Sequence, residues 1–94
     1  MVHELKTHPP FYQRVLDGSK TCEVRLNDRD FQAGDRLQLR EWDPEAPTEG
    51  IVRGAYTGRH ENFEVTHVFH LSSFWDPEDP DIVAMSIRLW TRQV

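Results

Sequence analysis

Lys20, Glu23 and Arg25 place an ammonium, a carboxylate and a guanidinium within six positions of one another. On a β-strand, residues 23 and 25 leave the same face with Cα atoms about 6.6 Å apart. Lys20, at a helix-to-strand corner, reaches over the same surface. Such a trio suits a nucleotide: Arg25 or Lys20 on a phosphate or base edge, and Glu23 accepting from an exocyclic amino group such as that of cytosine. It also admits catalysis. Lys20 is a candidate general base toward water, with Thr21 or a backbone N–H for the oxyanion, although a carboxylate beside a lysine favours the charged ammonium. Alternatively, Glu23 is the base and the cations stabilise phosphoryl charge, which suits RNA cleavage through the 2'-hydroxyl. A solvated row of ion pairs is the ordinary fate of such residues, and the residue types alone leave these options open.

Other residues join the candidate set for weaker reasons. In Asn27-Asp28-Arg29-Asp30 the short polar side chains suit a tight turn, and Arg29 is the member expected near a ligand phosphate. Tyr56 offers a ring on which a base stacks, and Arg59 is expected to close the pocket from the opposite side. Trp42 is a weaker stacking candidate, and Phe74-Trp75 forms either a lid or an anchor for its loop. The five histidines, at 3, 8, 60, 67 and 70, do not suggest a metal site. His67 and His70 point to opposite faces of a strand, and Cys22 has no second thiol nearby. His67 is expected to be an inner, hydrogen-bonded residue. No phosphate-loop, Ser-His-Asp or dinucleotide pattern is present, so no cofactor is expected.

Ninety-four residues fit one domain spanning 1–94. A chain of this size buries roughly 60 to 65% of its unfolded surface, so every apolar strand residue counts. The one cysteine excludes an intrachain disulfide. No apolar run approaches the roughly 20 residues that span a bilayer, and the N-terminus lacks a signal-peptide pattern; the expected compartment is cytoplasmic. Net charge is -5, and the acidic excess lies entirely beyond residue 42. Long duplex DNA is an unlikely partner for such a surface. A pocket for RNA, a single nucleotide or a modified nucleoside remains compatible, as does a protein partner for the acidic half, including Asp76, Glu78, Asp79 and Asp81.

The elements that position the trio follow from periodicity. Val2 to Lys6 alternates as a strand. Pro9-Pro10 opens a short helix with Phe11, Tyr12, Val15 and Leu16 on one stripe, and Gly18 ends it. From Thr21 the period becomes two, with Cys22, Val24 and Leu26 expected in the core and Glu23 and Arg25 on the other face. Phe31 pins the following turn. Leu37, Leu39 and Glu41 alternate with Gln38, Arg40 and Trp42. After a polar loop from Asp43 to Gly50, a short strand is expected over 51–56, then a turn or bulge at Thr57-Gly58-Arg59. Glu61 to Leu71 reads as a long central strand, and a last strand runs from Ile82 to about Trp90 with Val83, Met85, Ile87 and Leu89 on one face. The fold class is mainly β with one or two short helices, in a curved sheet or partly closed barrel of five to six strands.

Gly18-Ser19-Lys20-Thr21-Cys22-Glu23-Val24-Arg25 has the form G-x-K-x-x-E-x-R and resembles the motif of ASCH domains, which have the PUA-like fold. The wider chain, through Asn27 to Asp35, Leu39-Arg40-Glu41, Tyr56 to Arg59 and Val65 to Val68, is similar to the DUF3850 branch found in bacteria and phages. The resemblance implies a barrel-like sheet with a helix at the cleft and an association with RNA or modified nucleosides. One branch of the superfamily hydrolyses the amide of N4-acetylcytidine, and a ribonuclease role is attributed to other members. In the amidohydrolase branch the motif lysine, here Lys20, is catalytic. A threonine there is replaced here by Glu23, which puts a carboxylate beside the lysine. Glu64 and Glu78 are the acids available for that branch's further glutamate.

Overall fold

The structure, a computed structural model, describes residues 1–71 and 81–90. Phe74, Trp75, Asp76, Glu78 and Asp79 lie outside the described residues. The chain begins with β1 (Val2–Thr7), in which His3, Leu5 and Thr7 point inward. It gives way at His8 to α1 (Pro9–Leu16), whose first turn holds both prolines, where their missing N–H groups have no helical partner to lose. Eight residues do not hold a helix in water unaided. Tyr12 and Val15 are buried where α1 packs on the sheet at β3. Gly18, with φ of 83°, ends the helix in a left-handed conformation.

Four more strands follow: β2 (Cys22–Leu26), β3 (Arg36–Asp43), β4 (Ala55–His70) and β5 (Ile82–Leu89). They join β1 in one five-stranded sheet of order β1-β3-β4-β5-β2. Only the β1–β3 pair is parallel. The fold is mainly β with one helix, and the sheet curves into a half-barrel. Its concave side holds the core, with Leu5, Phe31, Leu37, Leu39, Phe63, Val65, Val83, Met85 and Ile87 from the sheet and its turns and Val15 from α1. The end strands face each other across a seam. There the Arg25 Nη2 donates to the Lys6 carbonyl at 2.9 Å and the Arg29 Nη1 to the Glu4 carbonyl at 2.6 Å. Residues 4 and 6 are two apart, so both carbonyls lie on the one edge of β1 that faces away from β3. Two guanidinium groups thus take the place of a ladder between β1 and β2.

Several expectations change. First, β2 is turned over: Glu23 is 3% exposed and Arg25 half-buried, while Val24 is 58% and Leu26 51% exposed. Alternation sets which residues share a face but not which face turns inward. The charged face wins because Glu23 meets two cations there, and the outward Val24 lies in register with Ala84 and, beyond it, Phe69. Second, residues 51–54 form no strand. Instead β4 runs unbroken for 16 residues, with Thr57, Gly58 and Arg59 bulging opposite the single residue Glu41. Third, a further irregularity at Thr66 advances the alternation by one residue against β5. Val68 then packs on the core, and His67 is exposed rather than internal. Leu89 is also exposed, 52%, although Val83, Met85 and Ile87 are buried as expected.

Candidate functional site

The turned-over strand makes Glu23 the centre of a network. The Lys20 Nζ donates to Glu23 Oε1 at 2.6 Å, and the Arg25 Nε donates to Glu23 Oε2 at 3.0 Å. Lys20 also donates to the Cys22 carbonyl, and Arg25 reaches Thr7 Oγ1 at 3.5 Å besides the Lys6 carbonyl. Lys20 is brought there by the end of α1: the Ser19 N–H is held by Asp17 Oδ1 and the Lys20 N–H by the Arg14 carbonyl. A carboxylate that accepts from two charged donors carries a smaller desolvation cost than a lone one. Both cations stay about a quarter exposed, with side chains 28% accessible, whereas the Glu23 side chain is 4% accessible. The trio therefore presents a net positive charge outward.

It does so into a cavity of about 340 Å³. Lys20, Glu23 and Arg25 form one part of the lining; Lys6, Thr7 and His8 form a second at the end of β1; Phe11 supplies an apolar wall and Val24 completes the lining. A second cavity, of about 500 Å³, adjoins it through Lys6 and Arg25, which line both. Arg29, Tyr56, Glu4 and Asp28 line this one. The Arg40 guanidinium lies 3.8 Å from the centre of the Tyr56 ring. Lys6 Nζ sits 4.8 Å from the Trp42 ring centre, and His8 lies 5.9 Å from the same indole. Room for Trp42 depends on Gly54, where a Cβ would fall 2.2 Å from an indole carbon.

Of the residues expected to act together, Lys20, Glu23, Arg25, Arg29 and Tyr56 are gathered along these two cavities. Arg59 is not among their linings. Its guanidinium lies 3.7 Å from Glu41 and 3.3 Å from Gln13 Oε1, and 5.0 Å from the Tyr12 ring centre. Glu41, buried, also accepts from Thr57 Oγ1 at 2.8 Å, so the bulge at 57–59 serves to close on Glu41. Burial raises the Tyr12 phenol above its ordinary value; nearby Arg59 opposes this and Glu61 and Glu41 add to it. Glu64 pairs with Arg88 at 2.8 Å, away from either cavity. Thr21 is exposed and is not part of the linings.

Residues 2–85 match the family model described as a domain of unknown function, DUF3850. The chain belongs to the DUF3850 family. An uncharacterized 12.9 kDa protein in the GpA 3' region of Escherichia phage P2 is 37% identical to this DUF3850 chain over 73 residues. That stretch is 78% of the chain and 59% of the relative's length.

Sequence reasoning missed part of the DUF3850 cleft. Lys6, Thr7, His8 and Phe11 line it because the first strand runs straight into the helix, and their side chains crowd the corner that Lys20 also reaches. The available signal was Lys6 on the outward phase of β1, immediately before the helix-opening prolines. Among the described residues, no three His, Cys, Asp or Glu side chains come together as a metal-binding group. No helix there is long and apolar enough to cross a membrane.

Proposed function

We propose that the cleft binds RNA, a single nucleotide or a modified nucleoside. In this reading Lys20 and Arg25 supply the attractive charge, and Glu23 fixes their positions. One observation carries it: a nearly inaccessible carboxylate clamps two cations, each about a quarter exposed, on one side of a cavity that Phe11 and Val24 also line. A cavity of this size falls at the lower end of the roughly 300–1,000 Å³ typical of small-ligand sites. Apolar walls favour the faces of a base, and fixed cations favour an anionic or carbonyl edge. The local surplus of positive charge stands out in a chain of net charge -5. The resemblance of residues 18–25 to the ASCH motif, and hence of the half-barrel to the PUA-like fold, supports the same ligand class.

A second reading is a hydrolase on the same cleft, either an N4-acetylcytidine-type amidohydrolase or a ribonuclease, with Lys20 and Glu23 as the reacting pair. The 2.6 Å contact between them favours keeping it in view, since it is a path along which a proton can pass. The deciding experiment is to incubate the protein and its K20A and E23A variants with nucleosides, N4-acetylcytidine among them, and a short single-stranded RNA. Mass spectrometry then reads retained ligand and altered product. Retained, unchanged ligand that K20A releases supports binding. Product formation lost in K20A while ligand is still held establishes the enzyme. The absence of both signals refutes the cleft reading and leaves the acidic half, with a protein partner, as the place to look.

A further inference from the structure

The two cavities share Lys6 and Arg25, so neither is a complete site by itself. At about 340 and 500 Å³ each has room for one nucleotide rather than several. The first offers apolar walls and the clamped cations. The second offers the Tyr56 ring, 43% exposed and braced by Arg40, with Arg29 beside it. Between them stand two cations of different status. Arg25 spends Nε on Glu23 and Nη2 on the Lys6 carbonyl and Thr7, and its Nη1 has no partner among the described residues. Lys6 has no carboxylate partner among the described residues; its ammonium rests over Trp42 instead. The acids of the second cavity are already engaged: Glu4 Oε2 lies 4.0 Å from Arg40 and Asp28 Oδ1 4.0 Å from Arg29.

We propose, building on the reading above, that the cavities are adjoining subsites for two successive nucleotides of a single strand, with the linking phosphodiester between Lys6 and Arg25. An anion at the junction meets one cation with a free N–H pair and one held only by aromatic rings, Trp42 at 4.8 Å and Tyr56 at 5.9 Å. A base on the second side stacks on Tyr56, a mode that tolerates any base. Both bases must be unpaired to enter, so the ligand class is single-stranded rather than duplex.

The test compares four ribonucleosides with dinucleoside monophosphates built from them, by calorimetry across a range of salt. At least one dinucleotide binds about tenfold or more tighter than its better nucleoside. Its log K against log salt steepens by about 0.7, the contribution of one phosphate in a single strand. Y56A removes most of the gain, and K6A removes the added salt slope. Both side chains are exposed, and matching thermal transitions confirm that the variants fold. Nucleosides bound as tightly as the dinucleotides overturn this inference and leave the binding reading intact, as does a gain that survives Y56A. No binding of either probe class overturns both.

Discussion

Replacing Glu23 by glutamine tests whether the charged network holds the sheet in its half-barrel form. The substitution keeps the shape and one acceptor, and removes the charge that Lys20 and Arg25 share. Breaking a buried pair by removing one partner costs about 3–5 kcal/mol when the remaining charge is fully enclosed. Here the stranded cations keep 28% of their side-chain surface in water, and the expected loss is therefore nearer about 2–3 kcal/mol. For a chain of this length 1 kcal/mol moves the transition by about 4–8 °C, so E23Q melts on the order of 8–24 °C below the parent. Thermal unfolding followed by far-UV circular dichroism, with urea titration as a second route, measures it. Adding K20M to E23Q relieves one stranded charge and recovers part of the loss, a non-additivity that a double-mutant cycle reads directly. An E23Q variant within about 0.5 kcal/mol of the parent refutes the reasoning, because a surface substitution has that effect.

Acid sensitivity follows from Asp35. Burial raises its carboxyl, but donation from His3, at 2.8 Å, from the Gln32 N–H and from the Met1 ammonium outweighs this and leaves the group below its ordinary value. Its stabilising contribution is complete above the unfolded value of about 3.9 and is lost as pH falls from there through the folded value; D35N is less stable at pH 7 and shows a flatter acid limb in urea unfolding. At the other end, the raised Tyr12 phenol favours the folded state until pH passes about 10, the unfolded value, and loses that contribution as pH rises through the folded one. Alkaline unfolding of Y12F therefore begins at higher pH. G54A, placing a methyl group against the Trp42 indole and forcing a φ of 120° on a side-chain-bearing residue, lowers stability by about 1–3 kcal/mol and changes tryptophan emission.

The periodicities of β3 and β5 and the prolines that open α1 made the helix and most of the core legible, because β3 and β5 each turn a mostly apolar face inward; β1 showed its alternation although its inner face sets His3 and Thr7 beside Leu5. Strand β2 did not read correctly for the opposite reason: three apolar residues and two charged ones alternate, and an apolar pattern predicts the core only when the charges have nowhere inside to pair. Glu23 pairs with Lys20 and Arg25 close by in sequence, but the side on which that row lies is set by the meeting of Arg25 with Lys6 and Thr7 of β1, which no local window shows. The continuity of β4 was hidden by Gly58, which resembles a turn when its opposite strand is unknown and is a bulge once Glu41 lies across from it. Exposure of His67 depends on a single irregular residue, Thr66, which carries no distinctive sequence mark. The trio was found from residue type and spacing, and Arg29 and Tyr56 from their suitability for anions and bases. Lys6 escaped because its role arises from the meeting of the two end strands of the sheet, β1 and β2, some 20 residues apart in sequence.

A sheet that stops short of closure keeps two unpaired strand edges, and bare edges invite neighbouring molecules to add strands of their own. In this chain the guanidinium groups of Arg25 and Arg29 occupy the Lys6 and Glu4 carbonyls on the edge of β1. They serve as guards against self-association as well as fasteners within one molecule. Two side chains thus cover these two acceptors of the β1 edge. Their loss exposes a template for aggregation even in molecules whose core remains folded, and the damage then grows with protein concentration rather than with temperature alone.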